Sequence, residues 1–511
     1  PTDNGKKIYD AYGGQLIPPH DQILVKEVAE NVHEINRMPF ETALQSGWVE
    51  YVAGEVDKAY QDAVCDVTLS HHHDIRVVFS PLHGTGTTTV YPVLKHLGVD
   101  VHQDPVTSNP SGAFENVTFN IPNPEVVQSF EHSIPYADKI GADLLLSTDP
   151  DADRIGVLVR HQKHWRFLTG NEIGILLVNF ALTQLAKSGR LTHDSVVIKT
   201  AVTTGLIETI AQKHQVRCIG DLLVGFKYIA DVMNQLEAAG LIGDFIFGTE
   251  ESHGYVTGNY VRDKDAASAA VWICEHAADL KAKNQTLVDS LNRIYAENGY
   301  CHNYLTEIRL LGAKGMEQIL HIMDHLRKKS DKDFGDLSVT RKADRWQGDP
   351  QPHLSDTDTS ARNVISFELR PPEETTSARI TVRPSGTEPK IKMYFEVVGA
   401  PCRIEDLAGE KERISAIRQS MEETFMKYCY QLIGVDFPKR GFLLFWQLPL
   451  KDKLKYFEIE ESIAALTAVT NATERGEQLA DLLTFLGANP LQKINRAFEA
   501  RYGSTILQFL Q

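Results

Sequence analysis

Short apolar runs in this chain repeatedly end in loops of charged or small polar residues. Ile75–Phe79 leads into Ser80-Pro81-Leu82-His83-Gly84, and Leu144–Leu146 into Asp149-Pro150-Asp151-Ala152-Asp153-Arg154. Phe245–Phe247 leads into Gly248-Thr249-Glu250-Glu251-Ser252. Amphipathic stretches separate these runs, as in the helix predicted to carry Val90, Leu94 and Leu97 on one face. Val196–Ile198 reads as a further buried strand. This alternation predicts α/β domains, whose sheets place ligand sites where strands end in loops. A length of 511 residues predicts three or four domains rather than one core.

After about residue 300 the pattern changes. An amphipathic helix at Met316–Leu326 gives way to a polar stretch over 329–360. Then Ile391, Met393, Phe395 and Val397 alternate with Lys392, Tyr394 and Glu396, the mark of a half-buried strand. Residues 301–430 therefore read as a separate α+β domain. From about 431 the chain reads as helical, with Ile463, Leu466, Leu479, Leu482 and Leu483 at helix-face spacing. No internal repeat is visible by eye, although the three α/β units are compatible with distant copies.

Composition narrows the partners. The net charge of −16 argues against nucleic acid and anionic membranes, both of which need a basic face. It leaves room for a phosphorylated metabolite held by local positive groups. Six scattered cysteines without a CxxC pair predict free thiols in a reducing cytoplasm. No apolar run reaches the ~20 residues of a membrane-spanning helix, and Phe442–Trp446 is far too short. An opening at Pro1-Thr2-Asp3 without methionine reads as a processed chain or a fragment.

Two loops carry chemistry. Asp149, Asp151 and Asp153 stand at alternate positions on a strand end, so their carboxylates can converge on one hard cation such as Mg²⁺. An EF-hand would require Gly at Arg154 and Glu at Arg160, and both fail. A solvated acidic turn is the plainer alternative. In Arg383-Pro384-Ser385-Gly386-Thr387-Glu388-Pro389-Lys390, a glycine between two hydroxyl residues lets backbone N–H groups turn toward an oxyanion. Arg383 can fork onto phosphate, and Lys390 and Lys392 add charge. An ordinary turn fits the same residues. Gly84-Thr85-Gly86 lacks the third glycine of a dinucleotide fingerprint, and no GxxxxGK[ST] loop is present. His71-His72-His73 reads as a solvated turn before a strand.

Taken in order, these loops resemble the phosphoglucomutase/phosphomannomutase family of α-D-phosphohexomutases. Asp3-Asn4-Gly5-Lys6-Lys7-Ile8-Tyr9, Gly13-Gly14-Gln15 and Pro18-Pro19-His20-Asp21 resemble the segment after that family's phosphoserine loop. Phe79–Gly86 resembles the start of its second domain, 149–154 its metal loop, 250–252 its sugar loop and 383–389 its phosphate loop; Arg262-Asp263-Lys264-Asp265 also matches. The resemblance covers about 1–430 and implies three related α/β domains, the first truncated, with an α+β C-terminal domain. That gives a remnant at 1–60, domains at 70–168, 169–300 and 301–430, and a helical extension of unknown role at 431–511.

The resemblance implies an isomerase that interconverts hexose 1-phosphate and hexose 6-phosphate through a phosphoserine and a bisphosphate. Glucose is the first expectation and mannose the second. Implied cofactors are Mg²⁺ on Asp149, Asp151 and Asp153, and glucose 1,6-bisphosphate as activator and intermediate. Arg154 would assist the transferring group, and Lys264 would serve as general acid/base with a depressed pKa. Glu250 and Ser252 would hold sugar hydroxyls. Arg383, Ser385, Gly386, Thr387 and Lys392 would bind the phosphate that is not reacting. Small sugar phosphates are the implied partners, and the protein would be a monomer or homodimer. Pro1 aligns with the last residue of the family's T-A-S-H-N-P loop, so the chain as given is expected to lack the nucleophile and be inactive. Val224 stands where relatives place Thr. A phosphopentomutase, a sugar-bisphosphate synthase and a non-catalytic phosphosugar-binding relative are the alternatives.

Overall fold

The computed structural model describes residues 7–34, 36–52, 54–310, 312–328, 333–346, 356–385, 389–435 and 448–511. The chain divides into two compact units, the first built on Pro1–Gly299 and the second on Tyr300–Pro352, Thr359–Ala400 and Ala408–Gln511.

The first unit holds two sheets. In one, β1 (Arg76–Ser80) pairs in parallel with β2 (Asp100–Gln103) and β3 (Leu144–Thr148). The antiparallel strands β4 (Ile155–His161) and β5 (His164–Leu168) complete the order β2-β1-β3-β4-β5. The other sheet contains β6 (Val196–Thr200), β7 (Arg217–Leu222), β8 (Phe245–Thr249) and β9 (Tyr255–Thr257), in the order β7-β6-β8-β9. There β6 is parallel to β7 and β8, and β9 is antiparallel to β8.

The four-strand pattern is therefore the same twice: β2-β1-β3-β4 matches β7-β6-β8-β9. This supplies the repeat that the side chains had hidden. In each copy the third strand is fully buried and turns into an antiparallel fourth. The acidic loop occupies that turn in the first copy and Glu250-Glu251-Ser252 occupies it in the second.

Two long helices of the first unit start at side-chain caps. Thr169 and Glu172 form a reciprocal capping box on the helix Gly170–Lys187. Asp265 accepts from the Ala267 N–H at the head of the helix Ala266–Lys281, whose small residues allow burial on nearly every face. The turn before β1 leaves His71 and His72 exposed, as expected, while its backbone is anchored. The Leu69, Ser70 and His71 N–H groups all donate to the buried Glu275 carboxylate. Nearer the start, the helix His20–Asn31 buries no residue, and Trp48 and Tyr51 are 78% and 74% exposed.

The second unit carries one antiparallel sheet. Its strands are β10 (Cys301–Arg309), β11 (Asp333–Phe334), β12 (Leu337–Asp344), β13 (Ile365–Leu369), β14 (Thr375–Pro384) and β15 (Lys390–Gly399), ordered β10-β15-β14-β13-β12-β11. The polar stretch at 329–360 thus contains β12, which buries Val339 on one face while Thr340 and Arg341 face solvent. In β15 the apolar residues are buried as expected. Tyr394 and Glu396 are also buried, because β15 lies between β10 and β14 and Glu396 is bonded by Asn303 and Arg379. The helices Gly312–Lys328 and Leu407–Leu432 close this core. Four helices between Leu450 and Phe509 form a further cluster around Tyr456, Ile463, Ile494 and Phe498. Among the described residues no helix is long and apolar enough to cross a membrane.

Candidate active site

The acidic loop is pinned from inside. Asp149 is 2% exposed, and its Oδ1 accepts the backbone N–H groups of Asp153 and Arg154 at 3.1 and 3.0 Å. Ala152 takes a left-handed φ of +55°, which tightens the turn. Thr85 donates to the Pro150 carbonyl through both its N–H and its hydroxyl, at 2.8 and 3.0 Å. Gly84 is required at this contact: a Cβ there would lie 2.3 Å from the Pro150 Cα. Gly84, in the segment that lacked a nucleotide fingerprint, therefore seats the acidic loop.

Carboxylate oxygens of Asp149, Asp151 and Asp153 all lie within 4.8 Å of one another. Ligands of a hard cation at ~2.1 Å stand roughly 3–4 Å apart, a spacing that small side-chain rotations reach. Three oxygen donors of like charge fit Mg²⁺ in type and placement. The burial gradient suits this role, with Asp149 deep, Asp153 intermediate and Asp151 open to solvent.

Among the described residues, three cations face these acids. Arg154 Nε bonds Asp149 at 2.7 Å and its Nη1 bonds Glu125 at 2.6 Å. Lys264 Nζ meets Asp153 at 2.9 Å and Asp263 at 3.1 Å. Lys7 Nζ bonds Asp151 at 2.5 Å and Asp153 at 2.7 Å. Burial pushes Asp149 above the usual carboxylate range, against the pull of Arg154. Burial would raise Asp153 too, but Lys264 and Lys7 outweigh it and hold that group low.

Lys264 corrects an expectation. A general base there needed a depressed pKa, and burial does act in that direction. The charges of Asp263, Asp153 and Glu250 more than offset it, so the pKa is raised. Lys264 is an ammonium donor. Its side chain is only 14% exposed and bonds a carboxylate of the acidic triad.

The two loops are joined through their backbones. Arg154 and Gly254 form an antiparallel bridge, the Ile155 N–H donates to the His253 carbonyl at 3.1 Å, and His253 Nδ1 donates back to the Ile155 carbonyl at 3.0 Å. Burial keeps His253 below the ordinary imidazole range, hence neutral. Glu250 is 7% exposed, and its N–H donates to the Gly254 carbonyl. Burial first, and Glu251 second, push its carboxyl up to about 7 despite a hydrogen bond from Ser252. Lys264 and Glu250 converge over Gly254, where a Cβ would lie 2.7 Å from Lys264 Cδ and 2.8 Å from Glu250 Oε1. A neighbouring contact fixes the same loop, since a Cβ on Gly170 would lie 2.1 Å from the Glu251 carbonyl.

In the second unit, Arg383 stands opposite Lys392 in the β14–β15 register, and the Ser385 N–H donates to the Lys390 carbonyl at 2.8 Å. Lys392 in turn stands opposite Glu307 of β10. Gly386 and Thr387 lie outside the described residues.

The order and content of these loops meet their counterpart in known proteins. Residues 56–163 match the phosphoglucomutase/phosphomannomutase alpha/beta/alpha domain II, and 169–297 match domain III. The phosphoglucomutase of Staphylococcus saprophyticus is 30% identical over 434 residues, covering 83% of this chain and 74% of that protein. The chain belongs to the phosphoglucomutase/phosphomannomutase family. A Staphylococcus epidermidis phosphoglucomutase is 32% identical over 422 residues, 80% of this chain and 73% of the relative. A phosphoglucomutase/phosphomannomutase family protein from Burkholderia thailandensis shares the fold at a TM-score of 0.53 and 15% identity, covering 83% of this chain and 72% of that one.

Within this mutase family setting, sequence reasoning missed Lys7, Glu125 and His253 as members of the site. Lys7 lies in the basic pair of the opening motif, which was the available signal. Glu125 follows Ile121-Pro122-Asn123-Pro124, where no periodicity marks a role. His253 adjoins the sugar loop and could have been taken with it.

Proposed function

We propose that this phosphohexose mutase interconverts glucose 1-phosphate and glucose 6-phosphate, with mannose phosphates as the second substrate class. The observation that carries the reading is the Arg154–Gly254 bridge. It joins an acidic cation site to a buried carboxyl, with Lys264 spanning the two.

Asp149, Asp151 and Asp153 would hold Mg²⁺, which supplies charge neutralisation to a phosphoryl group in transfer. Arg154, fixed between Asp149 and Glu125, presents its guanidinium beside that position. Lys264 donates hydrogen bonds as an ammonium and is suited to deliver a proton or charge at a sugar oxygen. Glu250, near half-ionised at neutral pH, can donate to one hydroxyl and accept from another, with Ser252 beside it. Arg383, Ser385 and Lys392, together with Gly386 and Thr387, would grip the phosphate that is not reacting and so fix the sugar's orientation. The phosphoryl carrier would be the serine of the loop whose last proline aligns with Pro1, and glucose 1,6-bisphosphate the intermediate. Free thiols at all six cysteines suit a cytoplasmic protein.

Side-by-side turnover tests the substrate assignment. With a catalytic amount of the matching bisphosphate, a chain extended upstream through the serine loop should convert glucose 1-phosphate faster than mannose 1-phosphate. A clear preference for pentose phosphates would overturn it.

A further inference from the structure

The helix Leu450–Ala465 carries three lysines at alternate positions. Lys451 and Lys455 are exposed, whereas Lys453 is only 6% exposed. Leu450 on the same helix belongs to the core of the six-stranded sheet, and Leu454 and Phe457 pack against that core. Lys453 shares their covered face, where an ammonium is costly unless a carboxylate meets it. It lies in the field of Glu307 and Arg309 on β10 and of Glu422 on the helix Leu407–Leu432. Glu422 already has a cation, bonded by Arg418. Glu307 is contested. Arg309 Nε bonds its Oε1 at 2.5 Å, Lys390 Nζ faces its Oε2 at 3.5 Å, and Lys392 stands opposite it in the β10–β15 register. Lys390 and Lys392 open β15, directly after the loop proposed to grip phosphate.

We propose that Lys453 is a positioning residue for phosphate binding: its ammonium shares Glu307 and so leaves Lys390 and Lys392 to the anion. The inference rests on the phosphate reading of the segment from Arg383 to Lys392. A carboxylate beside an anion site holds the nearest lysines back and repels the anion, and a further cation at that carboxylate weakens both effects. The helices after Leu448 thereby take a part in substrate binding through one buried charge.

The test is glucose 6-phosphate binding to the 511-residue chain at pH 7, read by isothermal titration calorimetry. Lys453→Met should weaken binding about three- to tenfold, and Lys453→Arg, which keeps the charge, should stay within about twofold of the parent. Glu307→Gln removes the group through which Lys453 acts. It should bind about twofold or more tighter than the parent, and adding Lys453→Met to it should weaken binding no further. This coupling separates positioning from a merely structural role, and the Glu307→Gln arm stands even if Lys453→Met does not fold. Parental binding by Lys453→Met, or an equal loss with and without Glu307, overturns the proposal. So does equal or weaker binding by Glu307→Gln. If Arg383→Met loses binding in those cases, the phosphate reading stands without it. Parental binding by Arg383→Met, or no binding by any of the chains, overturns that reading and this proposal with it.

Discussion

Glu250 shows what the site costs the fold. Its carboxyl is pushed from 4.5 to about 7, by burial first and the neighbouring Glu251 second. An acid whose folded pKa is raised holds its proton more tightly in the folded state. Its contribution to stability is full below the unfolded value and is lost as pH climbs from 4.5 through about 7, a loss of ~3 kcal/mol. Glu250→Gln removes this titration. The variant should match the parent near pH 4.5, exceed it by ~1–3 kcal/mol at pH 8, and bind sugar less well. Urea melts at both pH values check this; equal losses in parent and variant would contradict it. Glu422, raised to about 7 by burial beside Arg418, titrates in the same window in both proteins and cancels in the comparison. At this scale the sequence was informative about acids and less so about bases. Alternating aspartates on a strand end announce themselves. The adjacent Asp263 does most to hold Lys264 as an ammonium, but Asp153, which adds to it with Glu250, is remote in sequence, and Lys7 reaches Asp151 across 144 residues. No local pattern encodes such pairs.

Loops at the strand ends are held by backbone contacts that leave no room for a Cβ. Gly84 is the clearest instance, packed against Pro150 in the acidic turn. Alanine there must push the loop away. Gly84→Ala is expected to destabilise the chain by ~1–3 kcal/mol and to weaken Mn²⁺ binding as the carboxylates lose their register. Thermal melts and a metal titration measure the two effects, and parental values in both would show that this contact does not position the triad. Strands β1, β3, β6, β8 and β15 were legible because buried apolar runs are short and sharply bounded. The duplicated topology was not, since pairing order leaves no mark on composition. The strand β12 was masked by its own exposed face: only Val339 and half-buried neighbours signal it among Thr340, Arg341 and Lys342.

Across the whole molecule, the helices after Leu448 are integral to the second unit. Leu450 belongs to the core of the six-stranded sheet, Leu454 and Phe457 pack against that core, and Lys453 is buried. Burial pushes Lys453 down to about 8, although Glu307 draws it back. Deleting 448–511 removes the buried Leu450, worth ~1.5–3 kcal/mol, and the partly buried Leu454 and Phe457, so the second unit should melt several degrees lower. Unchanged calorimetry would make the extension an independent appendage. The helical character of this segment was readable from leucine spacing. Its attachment was not, because an amphipathic face does not name the surface that covers it.

Asp149, Asp151 and Asp153 are proposed to make this sugar phosphate mutase dependent on a divalent cation. The most direct test is turnover of glucose 1-phosphate, with Mg²⁺ and a trace of glucose 1,6-bisphosphate, by a chain extended upstream through the serine loop. The same chain with all three aspartates changed to asparagine serves as the comparison. Glucose 6-phosphate is expected from the parent, abolished by chelation and absent in the triple variant. Equal turnover by the triple variant, or none by the parent on glucose, mannose or pentose phosphates, would contradict it.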